Sequence, residues 1–115
     1  MIITNNNNDY IVIQVKEDDT LLPIGIAEAS YMSNEGMYYF NRLFVNEKYR
    51  KNNYGTRILN TLLDYIDSID AVLCLDINPY GEMTYEQLKA FYMKYGFKET
   101  DEYRLLYKAG GRNSE

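Results

Sequence analysis

Two apolar segments flank a long amphipathic pattern, and this arrangement constrains the fold more than any other feature. Between residues 55 and 69 the apolar side chains fall on one helical stripe: Ile58, Leu59, Leu62, Leu63, Ile66 and Ile69. The run Met37–Val45 before it and the run Ala71–Ile77 after it are apolar enough for buried strands. A strand, a helix and a strand in succession form a crossover unit with two parallel strands. The sequence therefore predicts a parallel strand pair.

Shorter patterns surround this unit. Alternating side chains predict strands at 10–16, at 22–32 with a bulge at Gly25, and at the end of the chain around 103–108. Thr84 and Gln87 fit a capping box at the start of a second helix, which ends near Gly96. The polar tract at 5–8 predicts a frayed segment. The order β-β-β-α-β-α-β indicates one α/β (α+β) domain over residues 1–108, with a mixed sheet and a flexible tail at 109–115.

Composition excludes several kinds of site. The chain of 115 residues has no histidine and one cysteine, Cys74, so a metal site, a His-activated nucleophile and an internal disulfide are not expected. No apolar run spans a membrane and no leader pattern precedes the domain, which indicates a cytoplasmic protein. The net charge of −5 argues against nucleic-acid binding. It fits either an ordinary acidic surface or one that attracts a cationic amine.

The most informative segment is 43–57, LFVNEKYRKNNYGTR, where a strand ends and the long helix begins. Backbone N–H groups at a helix start attract anions such as pyrophosphate, and basic side chains are concentrated here. Asn52, Asn53 and Gly55 tolerate the positive φ angles that a phosphate-binding loop needs. The alternative interpretation is an ordinary strand-to-helix turn with a solvated basic patch.

A second motif is the segment 88–97, LKAFYMKYGF, which places Tyr92 four residues before Gly96. A phenol with a pKa of about 10 can protonate a thiolate leaving group. The alternative interpretation is that Tyr92 belongs to the core, because it shares a helical stripe with Leu88, Phe91 and Tyr95.

The loop resembles the signature of the GNAT superfamily of N-acetyltransferases through Val45, Arg50, Gly55 and Asn53, which stands in place of a first glycine. The ending Y-x-x-x-G-F of the second segment resembles the second motif of the same superfamily. The resemblance spans about residues 37–108. It implies a mostly antiparallel sheet with a splayed parallel pair, lacking the family's first helical pair. It also implies acetyl-CoA (CoA) as cofactor and Tyr92 as catalytic acid. The cofactor-binding residues that it implies are Leu43, Phe44, Val45, Arg50, Lys51, Asn53, Tyr54, Gly55 and Thr56.

Two positions depart from the family pattern. Asn53 replaces a glycine, and Tyr85 stands where an asparagine usually contacts the pantetheine arm. The general base is left open among Asp76, Glu28, Glu35 and Glu82. Cys74, inside an apolar strand, is interpreted as inert packing.

The missing helical pair would leave the acceptor site open, which suits a lysine on a folded protein better than a small molecule. Short members with this pattern occur in bacteriophages, so a phage protein that inactivates a host or defence protein is one interpretation. A small-amine acetyltransferase and a non-catalytic binding module remain as alternatives. The sequence leaves the oligomeric state open between monomer and homodimer.

Overall fold

The computed structural model describes residues 2–7, 9–16, 23–78, 83–100 and 104–113. These contain seven strands and two α-helices, followed here in chain order: β1 (Ile2–Asn6), β2 (Tyr10–Val15), β3 (Gly25–Met32), β4 (Met37–Val45), α1 (Tyr54–Ser68), β5 (Val72–Asp76), α2 (Tyr85–Lys94), β6 (Lys98–Glu99) and β7 (Arg104–Lys108). Short 3₁₀ helices occupy Glu47–Tyr49 and Gly111–Asn113. Within these ranges, no helix has the length and apolar character needed to cross a membrane.

The strands form one sheet in the order β1-β2-β3-β4-β5-β7-β6. Strands β4 and β5 run parallel, and every other neighbouring pair is antiparallel. The parallel pair is the one that the crossover pattern predicts, with α1 as the connection. The predicted mixed, mostly antiparallel α+β fold is confirmed.

Helix α1 forms because its apolar stripe has a period close to that of the helix. Five residues of the stripe, from Ile58 to Ile66, are fully buried. They pack against β2, β3 and β4. Helix α2 begins with the predicted capping box: Gln87 N–H donates to Thr84 Oγ1, and Thr84 N–H donates to Gln87 Oε1. Its aromatic side chains pack against the same hydrophobic core. Both helices therefore depend on one core.

The first strand of the structure is not predicted by the sequence pattern. Asn5 and Asn6, placed in a frayed tract, belong to β1 and pair with Val12 and Ile11 of β2. A strand ladder is made by backbone groups, so an edge strand can form without alternating apolar side chains. The interpretation of this segment as frayed is wrong for Asn5 and Asn6, whereas Asn8 lies outside the described residues.

The helical pair of larger family members has no room in this chain. Residues 7–9 join β1 to β2, and residues 16–24 join β2 to β3. In the first link, the Asn7 Oδ1 atom accepts hydrogen bonds from the backbone N–H groups of Asp9 and Tyr10. The predicted turn at residues 18–20 lies outside the described residues, but this link of nine residues is too short for two helices and a loop. Neither link can hold the pair.

The end of the chain is anchored where a flexible tail was predicted. The Arg112 guanidinium donates hydrogen bonds to Asn60, Asp64 and Asp67 of α1 and to the Tyr107 hydroxyl. Gly110 N–H also donates to Asp67 Oδ1, at 2.8 Å. Within the segment predicted as a flexible tail, Gly110 and Arg112 are thus hydrogen-bonded to α1. Residues 114–115 lie outside the described part of the chain.

Gly25 is not a bulge. It pairs in regular register with Val15 and Val45 at the start of β3. A Cβ atom at this position would lie 2.6 Å from Ile58 Cδ1 and 2.9 Å from the Phe44 carbonyl oxygen. A glycine is required here because α1 and β4 approach the strand closely.

We expect Gly25→Ala to lower the free energy of unfolding by roughly 1–2 kcal/mol, because the added methyl group overpacks this contact. Urea unfolding followed by circular dichroism measures the change. Gly55→Ala is the matched control, since its Cβ would lie 3.6 Å from Val45 Cγ2, an ordinary contact. Equal stability of the two variants would contradict the packing role of Gly25.

Candidate active site

A cleft of about 500 Å³ opens between β4 and β5. The two strands pair only at Tyr38 with Leu73 and at Tyr39 with Cys74, and beyond this point they diverge. The remaining length of β4, to Val45, borders the cleft on one side. The end of β5 and one face of α2 border it on the other. The splay of the parallel pair thus creates the cavity.

Five of the nine predicted cofactor-binding residues line this cleft: Leu43, Phe44, Val45, Arg50 and Gly55. The other four, Lys51, Asn53, Tyr54 and Thr56, belong to the loop and first turn of α1 next to Gly55 but do not form its wall. The predicted catalytic residue, Tyr92, lines the same cleft from α2. The fold therefore brings the two sequence motifs together at one cavity.

Of the three loop residues predicted to suit a positive φ, Asn53 adopts one, whereas Asn52 and Gly55 do not. Asn53 adopts a left-handed conformation with φ 63° and ψ 17° at the N-cap of α1. Lys51 also has a positive φ, 72°. Asparagine is the non-glycine residue that best tolerates this region, so the loop accommodates the missing glycine. Arg50 Nε donates a hydrogen bond of 3.0 Å to the Val45 carbonyl oxygen, which ties the loop to the end of β4.

Gly55 is not required by the protein's own packing. A Cβ atom there would make one ordinary contact, with Val45 Cγ2, and the helical backbone does not demand glycine. The residue lines the cleft, so the space above its Cα atom is part of the cavity. A glycine at this place allows a ligand to approach the backbone closely.

Tyr92 is held by surrounding rings. Its ring makes edge-to-face contacts with Phe40, Phe91 and Phe97 at centroid distances of 6.1, 5.2 and 5.4 Å. The side chain is partly buried. Because aromatic pairs of this geometry are favourable, they fix the ring at the cleft wall. Tyr92 thus packs against the core and also lines the cleft. The interpretation as a core residue and the interpretation as a residue of the site are therefore compatible.

The neighbouring Tyr95 connects the two helices. Its hydroxyl lies 3.1 Å from Thr56 Oγ1 in the first turn of α1. Gly96, with a φ of 100°, then turns the chain toward the buried Phe97. This contact between α1 and α2 helps to fix α2, and with it Tyr92, relative to the loop.

Among the carboxylates that the sequence offers as a base, Asp76 lines the cleft. Arg104 Nε donates to Asp76 Oδ1 at 2.9 Å. The Tyr39 hydroxyl lies 3.5 Å from Asp76 Oδ2. The hydrogen bond from Arg104, assisted by its charge, holds the pKa of Asp76 below its usual value. Asp76 is therefore ionised at neutral pH and a weak base.

The other three carboxylates differ in position. Glu28 accepts hydrogen bonds from the Tyr10 hydroxyl and from Arg42, and these lower its pKa. It does not belong to the cleft wall. Glu35, in the turn between β3 and β4, lies 3.4 Å from the Arg104 guanidinium. Glu82 lies outside the described residues.

One feature of the site was not predicted from the sequence. Phe40 pairs with Ala29 and Arg42 pairs with Glu28, so Asn41 is an extra residue in β4. It lines the cleft. A bulge removes its backbone from the regular ladder, which suits hydrogen bonding to a ligand. The signal in the sequence was the polar pair Asn41-Arg42, which interrupts an otherwise apolar strand.

Residues 7–99 match the model of the acetyltransferase (GNAT) domain family. The chain belongs to this family. No protein with a curated description matches the sequence. The GNAT fold is shared with solved structures whose identity to this chain is too low to show more than the fold.

Three of these structures illustrate the similarity. A GNAT protein from Bacteroides thetaiotaomicron is 22% identical with a TM-score of 0.62, over 87% of this chain and 62% of its own. PaiA N-acetyltransferase from Thermoplasma acidophilum, in complex with coenzyme A, is 20% identical with a TM-score of 0.67, over 87% and 61%. The anti-CRISPR protein AcrVA5 is 13% identical with a TM-score of 0.66, over 86% and 98%. The chain spans less than two thirds of the length of the first two.

Proposed function

We propose that this GNAT protein is an acetyl-CoA-dependent N-acetyltransferase that transfers the acetyl group to a primary amine. The observation that carries the proposal is a single cleft with the basic strand-to-helix loop at one part of its wall and Tyr92 at another. Anion binding and acid catalysis are two of the tasks that a protein performs in acetyl transfer from CoA.

The residues present fit this cofactor. The cleft volume of about 500 Å³ lies within the range of small-molecule sites. Arg50 and the open space at Gly55 suit a pyrophosphate, and the edge of β4 from Leu43 to Val45 suits the extended pantetheine arm. Asn53, Tyr54 and Thr56 shape the start of α1, and Lys51 adds positive charge beside it.

When bound, the cofactor supplies an acetyl group activated as a thioester. The amine forms a bond to the acetyl carbon while the carbon–sulfur bond breaks. Tyr92 O–H donates its proton to the departing sulfur, whose thiol has a pKa of about 8.5 against about 10 for the phenol. The Tyr92 phenolate would then regain, through water, the proton that the nitrogen loses as the amide forms. The rings of Phe40, Phe91 and Phe97 keep the hydroxyl at a fixed place.

The amine must lose a proton before it attacks. Asp76 is a weak base because Arg104 stabilises its ionised form. Removal of the proton through water, helped by the orientation of the reactants, fits this arrangement. The rate of transfer should therefore rise between pH 6 and pH 9, as more of the amine becomes neutral.

The proposed acceptor is a lysine on a folded protein. The links between β1, β2 and β3 are too short to hold the helical pair that covers the acceptor site in larger GNAT proteins. The net charge of −5 favours approach of a cationic side chain. The similarity in fold to an anti-CRISPR protein supports a phage protein that inactivates a host or defence protein in the cytoplasm.

Incubation of the protein with acetyl-CoA and either a panel of bacterial proteins or spermidine tests this proposal. Mass spectrometry should find acetylated lysine in one or a few proteins, at a rate that increases from pH 6 to pH 9. Efficient acetylation of spermidine without protein labelling would replace the protein acceptor by a small amine. Transfer to neither would favour a non-catalytic binding module.

A further inference from the structure

The last turn of the chain packs against the end of α2. We call residues 110–112 the terminal turn. A Cβ atom at Gly96, just after α2, would lie 3.2 Å from the Gly111 carbonyl carbon. One at Gly111 would lie 3.3 Å from the Gly96 carbonyl oxygen. The two glycines therefore let backbone meet backbone at a place where side chains would separate the segments. The terminal turn does not belong to the cleft wall.

Arg112 connects the terminal turn to α1. Its guanidinium donates hydrogen bonds to Asp64 Oδ1 at 2.6 Å, to Asp67 Oδ2 at 2.7 Å and to Asn60 Oδ1 at 3.1 Å. Positions 60, 64 and 67 lie on one face of a helix, so one side chain holds about 10 Å of its length. The terminal turn is thus fixed to α1 on one side and packed against the end of α2 on the other.

The same guanidinium contacts a series of rings that leads to the cleft. Arg112 Nε donates to the Tyr107 hydroxyl at 3.2 Å, and this hydroxyl donates to Asp67 Oδ1 at 2.7 Å. The Tyr107 ring packs against Phe97 with centroids 5.5 Å apart, and Phe97 contacts Tyr92 at 5.4 Å. Tyr107 and Phe97 are fully buried. Because side chains in a close-packed interior cannot move independently, the position of Tyr107 constrains the Tyr92 ring.

Helix α2 needs such support more than α1 does. None of the residues of α2 is fully buried, whereas five residues of α1 are. The capping box holds its first turn, and Tyr92 lies near its other end, two residues before Lys94. A shift of this end would move the Tyr92 hydroxyl within the cleft. A displacement of about 1 Å at a reacting group can lower a rate by roughly a hundredfold.

We propose that Arg112 is a positioning residue for Tyr92. Through the terminal turn and the rings of Tyr107 and Phe97, it fixes the end of α2 against α1 and so holds the Tyr92 hydroxyl in place. The proposal rests on the proposed function, in which this hydroxyl protonates the departing thiolate. Arg112 does not belong to the cleft wall, so its effect on the rate passes through Tyr92.

A double-mutant cycle between Arg112 and Tyr92 tests the proposal. Rates are measured at saturating acetyl-CoA with whichever of spermidine and a panel of bacterial proteins is acetylated fastest. Circular dichroism identifies a temperature at which every variant is folded. Arg112→Met should lower kcat roughly five- to fiftyfold, while the calorimetric dissociation constant of acetyl-CoA changes less than about twofold. In the Tyr92→Phe background the same substitution should change kcat less than about twofold, because no hydroxyl remains to be positioned.

Two further variants complete the experiment. Tyr107→Phe keeps the ring against Phe97 but removes the hydroxyl that binds Arg112 and Asp67. It should show a smaller loss of kcat, again only where Tyr92 is present, and it replaces Arg112→Met if that variant does not fold. Lys108→Met is the control, since Lys108 is an exposed cation at the end of β7 and does not line the cleft. It should keep the kcat of the native protein.

The possible outcomes separate the positioning role from the proposed function. An equal loss of kcat with Tyr92 and with Phe at this position would overturn the proposal, because Arg112 would then support the fold alone. An unchanged kcat in Arg112→Met would overturn it as well. A native rate in Tyr92→Phe would overturn the acid role, and the positioning role with it. Acetylation of no acceptor by the native protein would overturn the proposed function itself, together with this proposal.

Discussion

Tyr92→Phe is expected to lower the rate of acetyl transfer roughly tenfold to a thousandfold, the range for loss of a general acid. The substitution keeps the ring, so its contacts with Phe40, Phe91 and Phe97 persist and the fold should change little. The affinity for acetyl-CoA should also be close to that of the native protein. Turnover at saturating acetyl-CoA, together with a calorimetric dissociation constant, separates the loss of chemistry from a loss of binding.

Tyr65→Phe provides the control for this experiment. Tyr65 is a partly buried tyrosine in the last turn of α1. It lies away from the cleft, which is lined by Gly55 at the other end of this helix. The Tyr65→Phe variant should transfer acetyl groups at the rate of the native protein. If Tyr92→Phe also retains that rate, the Tyr92 hydroxyl is not the acid and the residue serves packing alone.

Arg112→Met should lower the free energy of unfolding at pH 7 by roughly 1–3 kcal/mol, because it leaves the partly buried Asp67 carboxylate without its charged partner. Arg112 contacts three residues of α1 and the Tyr107 hydroxyl, and its side chain is 21% exposed. Arg42→Met is the matched control. The Arg42 side chain is 54% exposed and, among the described residues, pairs only with Glu28, which keeps its hydrogen bond from the Tyr10 hydroxyl, so the loss of Arg42 should cost less than about 1 kcal/mol.

The pH dependence of the Arg112→Met effect follows from Asp67. Burial by itself would raise the pKa of Asp67, but hydrogen bonds from Gly110, Tyr107 and Arg112 lower it below the ordinary 3.8. A lowered pKa means that the stabilisation is fully present above the unfolded value and is lost as the pH falls through the folded value. The difference between native and variant protein should therefore be constant near neutrality and shrink below about pH 4. A difference that is absent at pH 7 would contradict the anchoring role.

The sequence predicted the elements whose structure depends on residues close together in the chain. The stripe from Ile58 to Ile66 defines α1 because helix periodicity is repeated within a few residues. The Thr84–Gln87 capping box fixes the start of α2 by contacts three residues apart. The parallel pairing of β4 with β5 follows from the connection between them. The cleft that both sequence motifs line is a consequence of that pairing.

Contacts between distant segments account for what the patterns missed. The Arg112 anchor joins residues 45 to 52 positions apart, and neither partner signals the other in the sequence. The edge strand β1 forms through backbone pairing with β2, so its polar side chains misled the prediction. The bulge at Asn41 depends on the register between β3 and β4, which the sequence of one strand does not determine.

The single cysteine has a practical consequence for measuring this activity. Cys74 is fully buried in β5, and burial raises the pKa of its thiol, so little reactive thiolate is present at neutral pH. Acetyl transfer releases one free CoA thiol for each acetyl group. A thiol-reactive dye added during turnover would therefore report product with a low background from the protein. A cysteine introduced on the surface would likewise be the one site that takes a fluorescent label.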